Sequence, residues 1–320
     1  MAPYYKIGAV MTDRVADVRE VIRPTTLIEA RRLASYLDLD LMLASETFQH
    51  TGSFKFRAAY NLAARVEASA FLTASSGNFG QALAYACKLL GKTAIIVMPE
   101  TSAKVKIAAV KEHGGRVEPV DVTKKSRAAR VAELAREYPE AFVASAYDDP
   151  LVIAGNATLG EELAPLDFDV VVLAVGGGGL SSGLIRGLRD SGNRETAVVG
   201  AEPLLGNDAA RSLAEGHIVT NEAEPQTIAD GARTVSLGKH NWAILKDGIE
   251  AIVEIPEDRI TEAVRLLFSL ANLKAEPTGA LGLAGILTDP ARFQGKRVCA
   301  VVTGGNVDIE VYRSILAGNR

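Results

Sequence analysis

Short apolar runs alternate with amphipathic stretches along most of the chain. Runs of five or six residues at Asp40 to Ala44, Ala70 to Ala74, Ala94 to Met98, Arg116 to Val120, Val170 to Val175, Ala197 to Ala201 and Arg297 to Val302 have the length and bulk of strands. Between them, Gly80 to Leu90, Ala103 to Glu112, Lys125 to Tyr138 and Thr261 to Leu273 carry apolar side chains at helical spacing. This alternation predicts an α/β fold with parallel sheets covered by helices, because parallel neighbours need a helix-length crossover. In such sheets ligands lie beyond the carboxyl ends of strands, so the loops that follow strands are where chemistry is expected. No internal repeat or low-complexity tract stands out, and Asn221 to Asp230, rich in Glu, Pro and Gln, reads as a surface connection.

Five segments carry candidate chemistry. Lys55 stands between Phe54 and Phe56, just after the turn Thr51-Gly52-Ser53 and at the start of a helical pattern. Apolar surroundings disfavour an ammonium group, lower its pKa and turn the amine into a nucleophile. Ser75-Ser76-Gly77-Asn78 follows a strand and opens a helix. The free N–H groups there suit a carboxylate, although Ser and Asn are also what an ordinary N-cap uses. Gly176 to Gly179, followed by Leu180-Ser181-Ser182-Gly183, has the same strand-loop-helix setting. Four glycines let backbone amides wrap an oxyanion closely, and a phosphate is the natural guest. A dinucleotide-binding unit is laid out similarly, with Glu202 placed for a ribose, but no G-x-G-x-x-G can be read from Gly176 to Gly183. A phosphate on a smaller cofactor is the better match. Thr303-Gly304-Gly305-Asn306 presents a neutral hydroxyl at a strand end, or else a cap and glycine turn. Glu202 and Asp208, around Pro203 and Gly206, either hold a hard cation or leave Asp208 to cap a helix.

Composition removes several classes. A net charge of −4 without a basic cluster argues against a nucleic-acid partner. No apolar run has the length of a membrane span, and Met1 to Lys6 lacks the layout of a secretory signal. Cys87 and Cys299 lie far apart in apolar segments, as buried thiols of a cytoplasmic protein do. Four histidines without metal-type spacing argue against a zinc enzyme or a histidine-based triad.

A reactive lysine, a phosphate loop and a carboxylate loop together match the needs of pyridoxal 5′-phosphate. The chain resembles the fold-type II pyridoxal-phosphate enzymes, in the serine/threonine dehydratase and serine racemase group. The matching runs are Thr51 to Lys55, Ser75 to Asn78, Gly176 to Leu180, Ile228 to Gly231, Glu276 to Thr278 and Thr303 to Asp308, in the family's order. The resemblance implies two open, mostly parallel sheets of the tryptophan-synthase-β kind. Residues 1–69 and 148–320 would form a large cofactor domain, and 70–147 a small inserted domain that closes over substrate. Lys55 would form the imine with the cofactor and move the Cα proton, with Phe54 against the ring. Asn78 would bond the 3-hydroxyl, and Gly176, Gly177, Gly178, Gly179 and Leu180 would hold the phosphate. Gly231 would lie in the cofactor site and Thr303 at the ring nitrogen. Ser75, Ser76, Gly77 and Asn78 would receive the substrate carboxylate. Ser76 resembles the serine that faces the lysine across the cofactor in serine racemases. Glu202, Gly206 and Asp208 match a divalent-metal site, read as Mg2+.

A neutral Thr303 cannot keep the ring nitrogen protonated as a carboxylate would, so a long-lived carbanion is disfavoured. Loss of a β-hydroxyl as the proton leaves avoids it. The expected activity is therefore β-elimination from L-threonine, L-serine or a 3-hydroxy relative, giving a 2-oxo acid and ammonia. The alternative is racemisation by Lys55 and Ser76 on opposite faces. Phe79 departs from the family's usual histidine, and Tyr147 is closer to the dehydratases. His50 and His113 depart from the racemase's nucleotide contacts, and Arg127 and Arg233 are either surface residues or substrate readers. The family further implies a homodimer, and the chain stops too soon after Thr303 for a regulatory domain.

Overall fold

The structure, a computed structural model, describes residues 17–75, 77–102 and 104–318. Ten strands follow one another: β1 (Thr26–Ile28), β2 (Asp40–Ser45), β3 (Ala70–Thr73), β4 (Thr93–Pro99), β5 (Arg116–Val120), β6 (Ala141–Val143), β7 (Val170–Ala174), β8 (Ala197–Pro203), β9 (Ala251–Ile255) and β10 (Arg297–Val302). They form a six-stranded sheet in the order β1-β2-β10-β7-β8-β9 and a four-stranded sheet in the order β5-β4-β3-β6. All pairings are parallel except β1 with β2. The four-stranded sheet is built entirely from chain between Ala70 and Val143.

The seven strands expected from apolar runs are present within a residue or two at each end. The three that the pattern does not reveal, β1, β6 and β9, all lie at sheet edges and are only partly buried. An edge strand packs less of its surface, so it needs no continuous apolar run.

Strand β7 shows why the central strands are apolar throughout. Val170, Val172 and Ala174 enter one core with the helices Glu257–Ala271 and Leu281–Thr288. Val171, Leu173 and Val175 enter another with Pro150–Leu163 and Gly179–Asp190. The period of two sends alternate side chains to opposite faces, and both faces are covered. Each buried Val or Leu contributes roughly 1.5–3 kcal/mol relative to exposure. The smaller sheet repeats the scheme, with Phe71, Ile96 and Met98 on one face and Leu72, Ile95 and Val97 on the other.

This topology brings the chemistry-bearing loops together. β10 lies between β2 and β7, with Val302 opposite Ser45 and Val298 opposite Val170. The loops leaving the carboxyl ends of β2, β10 and β7 are therefore neighbours, and they carry Lys55, Thr303 and Gly176. The helix Lys55–Arg65 is held by a residue that the motifs did not single out. Arg57, fully buried, makes a two-pronged pair with buried Glu46 at 2.8 Å on each arm. It also reaches Thr158 Oγ1 at 3.0 Å and Glu162 Oε1 at 2.6 Å. One guanidinium thus ties the lysine-bearing helix to the end of β2 and to the helix Pro150–Leu163. The thiols of Cys87 and Cys299 are both buried, and burial pushes each up to about 12.

Candidate active site

A cavity of about 300 Å³ opens where the loops of the two sheets meet. Lys55, Phe54, Thr303, the glycines 176 to 179 and Leu180 line it from the larger sheet, and Ser75, Gly77 and Asn78 from the smaller one. Gly231 lines it too, its N–H donating to Thr278 Oγ1 at 2.9 Å. Ser76 lies outside the described residues.

Lys55 Nζ lies 5.0 Å from the centre of the Phe54 ring and 5.9 Å from that of Phe79. It donates a hydrogen bond to the Ala146 carbonyl at 3.0 Å. Burial brings its ammonium down to about 8, with the charge of Glu276 pulling the other way. The amine is thus available near neutrality, as a nucleophile requires. Thr303 is buried at the end of β10, and its carbonyl accepts the Phe54 N–H at 3.0 Å.

The glycine loop has its carbonyls tied back. The Gly177 carbonyl accepts from Asn241 Nδ2 at 2.6 Å and from the Gly238 N–H at 3.0 Å. The Gly178 carbonyl accepts from Ser182 Oγ at 2.7 Å. Gly178 has φ +88°, and a Cβ on Gly177 would overlap the Tyr147 ring, so neither position admits a larger residue in this geometry. The helix Gly179–Asp190 starts here without a side-chain cap, leaving first-turn amides for a ligand. Thr234 Oγ1 is buried without a partner, 3.6 Å from where a Cβ on Gly176 would stand. A cradle of this shape beside an unpaired hydroxyl fits a phosphate.

Asn78 is the first residue of its helix and does not cap it. Its Oδ1 accepts from Asn306 Nδ2 at 2.9 Å, and its Nδ2 donates to Glu276 Oε1 at 2.7 Å. Asn306 Nδ2 also donates to the Thr51 carbonyl at 2.7 Å. The carboxamide is fixed in orientation, with one Nδ2 hydrogen left over. Glu276 was not among the candidate site residues. Burial first, then the charge of Asp230, push its carboxyl up to about 8, while Asn78, Lys106 and Lys274 oppose the shift. Its run Glu276-Pro277-Thr278 carried the resemblance, but no local pattern marks a glutamate as buried. Thr234 was likewise not among the candidate site residues.

Two ion pairs span the outer cavity between the sheets. Lys106 Nζ lies 2.5 Å from Asp230 Oδ2, and Arg127 Nη2 lies 3.0 Å from Glu224 Oε2. All four residues line the cavity, as does Arg233, whose Nε donates to the Thr227 carbonyl at 2.8 Å. Arg127 and Arg233 are thereby placed at the cavity, and the connection Asn221 to Asp230 supplies one of its walls.

Glu202 and Asp208 are both buried. Glu202, not Asp208, closes the start of the helix Asp208–Glu215, accepting the N–H groups of Ala209 at 3.0 Å and Ala210 at 2.8 Å. Burial and the neighbouring Asp208 hold its carboxyl well above the usual range. Burial raises Asp208 to about 6, and its Oδ2 has no partner. Two close buried carboxyls with one orphaned oxygen fit a cation, although no group of three or more His, Cys, Asp or Glu converges among the described residues.

Residues 18–304 match the family described as pyridoxal-phosphate dependent enzyme. The chain is 36% identical over 302 residues to an L-threo-3-hydroxyaspartate ammonia-lyase from a Pseudomonas species, covering 92% of this chain and 93% of that protein. It is 35% identical over 314 residues to human serine racemase, covering 92% of this chain and 89% of that protein. Among solved structures, a threonine deaminase from T.th. superposes with a TM-score of 0.85 at 37% identity, covering 91% of this chain and 96% of that one.

Proposed function

The chain belongs to the pyridoxal-phosphate dependent enzymes, and from that premise we propose that it is an ammonia-lyase for a β-hydroxy amino acid with a second carboxylate, of the 3-hydroxyaspartate kind. The products are a 2-oxo acid and ammonia. The observation that carries the substrate class is the set of cations, Lys106, Arg127 and Arg233, that line the cavity holding Lys55. Relatives named as 3-hydroxyaspartate enzymes from two further organisms, at 33% and 35% identity, support it.

Lys55 is the amine that anchors the cofactor and, once freed by substrate, the base that takes the Cα proton on Nζ. Bound there, pyridoxal 5′-phosphate supplies the electron sink for the bond broken at Cα. Gly176 to Gly179, Leu180 and Thr234 would hold its phosphate, with Gly231 in the same cavity wall. Asn78 would donate its spare Nδ2 hydrogen to the cofactor's ring oxygen, Phe54 would pack on the ring, and Thr303 would offer the ring nitrogen a neutral hydroxyl. Ser75, Ser76, Gly77 and the start of the helix Asn78–Leu89 receive the α-carboxylate. Phe54 and Phe79 keep water from the amine, which preserves its depressed pKa. The side-chain carboxylate exchanges with Asp230 or Glu224 for a cationic partner. Glu202, Asp208 and the Gly206 carbonyl would hold Mg2+, and the orphaned Asp208 Oδ2 supports this reading.

Racemisation is the second reading, favoured by the similarity to human serine racemase. It requires Ser76 to deliver a proton opposite Lys55. One experiment separates the readings. Holoenzyme is given L-threo-3-hydroxyaspartate, L-serine or L-threonine, and 2-oxo acid and D-enantiomer are measured separately, with Mg2+ or a chelator. The highest kcat/KM for oxo acid is expected with hydroxyaspartate. D-enantiomer formed faster than oxo acid would replace the lyase by the racemase. A preference for serine or threonine would remove the second carboxylate, and full activity and unchanged Tm in chelator would remove the cation.

A further inference from the structure

A glycine loop can hold a phosphate only if its peptides face the right way. In a planar trans peptide the C=O and the following N–H point in opposite directions, so holding one aims the other. Three consecutive carbonyls of the loop are held by side chains. Asn241 Nδ2 donates to the Gly177 carbonyl at 2.6 Å and Asn156 Nδ2 to that of Gly179 at 2.9 Å. Ser182 Oγ shares its one hydrogen between the Gly178 carbonyl at 2.7 Å and Asn241 Oδ1 at 2.8 Å. All three side chains are buried, and none is among the residues lining the cavity. The N–H groups of Gly176 to Gly179 donate to no protein acceptor among the described residues. Asn241 does most of the holding. Its Nδ2 also donates to the Tyr147 carbonyl at 3.1 Å, and the Tyr147 ring lies over Gly177. Two carbonyls on one side fix which end of the carboxamide is nitrogen. Asn241 is itself held still, because it lies in the first turn of the helix Lys239–Gly248. Asp148 closes the start of that helix, accepting the N–H groups of Lys239 at 3.1 Å and His240 at 2.9 Å.

We propose that Asn241 is a positioning residue for the cofactor's phosphate. It holds the Gly177 carbonyl toward its own helix, and so turns the Gly178 N–H the opposite way, for the phosphate to accept. It thereby sets the preference of the chain for pyridoxal 5′-phosphate over pyridoxal, which lacks that group. Glycine peptides reorient readily when nothing holds them, and a loop that must be ordered on binding gives up affinity. The inference rests on the glycine loop as the phosphate site.

Equilibrium dialysis of the full chain, freed of cofactor, measures Kd for pyridoxal 5′-phosphate and for pyridoxal. Both carry the same ring and aldehyde, so the ratio of the two isolates the phosphate. The native chain is expected to bind the phosphorylated form more tightly. In N241A the Gly177 carbonyl keeps the Gly238 N–H at 3.0 Å, so the loop is loosened and not lost. Kd for pyridoxal 5′-phosphate should rise about tenfold, within the range for a lost buried hydrogen-bond partner, while that for pyridoxal stays the same. A defect of the whole fold would raise both together, so an unchanged ratio in N241A would overturn the proposal. Should N241A not fold, S182A removes the hydrogen that holds the carboxamide and the Gly178 carbonyl from behind. The same selective loss, about threefold, is expected there, and an unchanged ratio again overturns the proposal. Equal affinity of the native chain for the two compounds would remove the glycine loop as phosphate site, and this inference with it. A native preference that survives in the variants would remove Asn241 alone.

Discussion

The two sides of the cavity are built differently. On one side Lys55, the glycine loop and Thr303 hang from the central strands of the larger sheet, braced by buried groups that satisfy one another: Arg57 with Glu46, and Asn241 with Gly177 and Tyr147. On the other, the mouth is spanned by Lys106–Asp230 and Arg127–Glu224, pairs whose side chains keep 28–47% of their surface in water. A buried, fully bonded group is expensive to disturb. An exposed ion pair is worth about 0–1 kcal/mol and trades partners easily. The difference teaches a division of labour: the braced side suits a permanent cofactor, and the mouth suits an anionic group that arrives and leaves.

The comparison is broken most severely at Lys55. K55A should lose on the order of 10²–10⁴-fold or more of turnover, the range of a lost acid–base group, together with the absorbance of bound cofactor. Retained absorbance would show that another amine anchors it. Next in size is the brace behind it. R57L leaves Glu46 buried and unpaired, and is expected to cost about 3–5 kcal/mol in urea unfolding. A cost below about 1 kcal/mol, typical of exposed pairs, would make the two sides alike. G177V forces a side chain into the Tyr147 ring, and cofactor affinity should fall about a hundredfold, about 2.8 kcal/mol. Equilibrium dialysis measures it, and unchanged affinity would detach the loop from the phosphate.

The smallest effects belong to the mouth. E224Q and D230N should each change KM for a dicarboxylic substrate less than about fivefold, the reach of an exposed pair. The effect should fade in high salt, which screens such pairs. A change in kcat that persists in high salt would place the mouth among the braced elements.

Much of the fold was legible because burial on both faces writes continuous apolar runs into central strands such as Val170 to Val175. Edge strands such as Ala141–Val143 write no such run, and their existence depends on the neighbour they pair with. At the site, the backbone demands of the loop were local and visible. Two of the four glycines after the strand are required outright, because Gly178 adopts φ +88° and Gly177 lies under Tyr147. Lys55 was visible because Phe54 is adjacent in the chain, whereas its second ring neighbour, Phe79, comes from another helix. Glu276 was not recognisable as a site residue, since its weight comes from burial against Gly304 and Asn78, residues distant in sequence. The mouth pairs join residues 124 and 97 positions apart, and in the sequence each was only a charge on a helix or in a connection. What the sequence by itself determined was every element whose reason is local: alternation, turn glycines and the apolar setting of one lysine. Only the tertiary structure decided which charges meet, because a pKa and an ion pair depend on distance and desolvation, and both are settled when the two sheets pack.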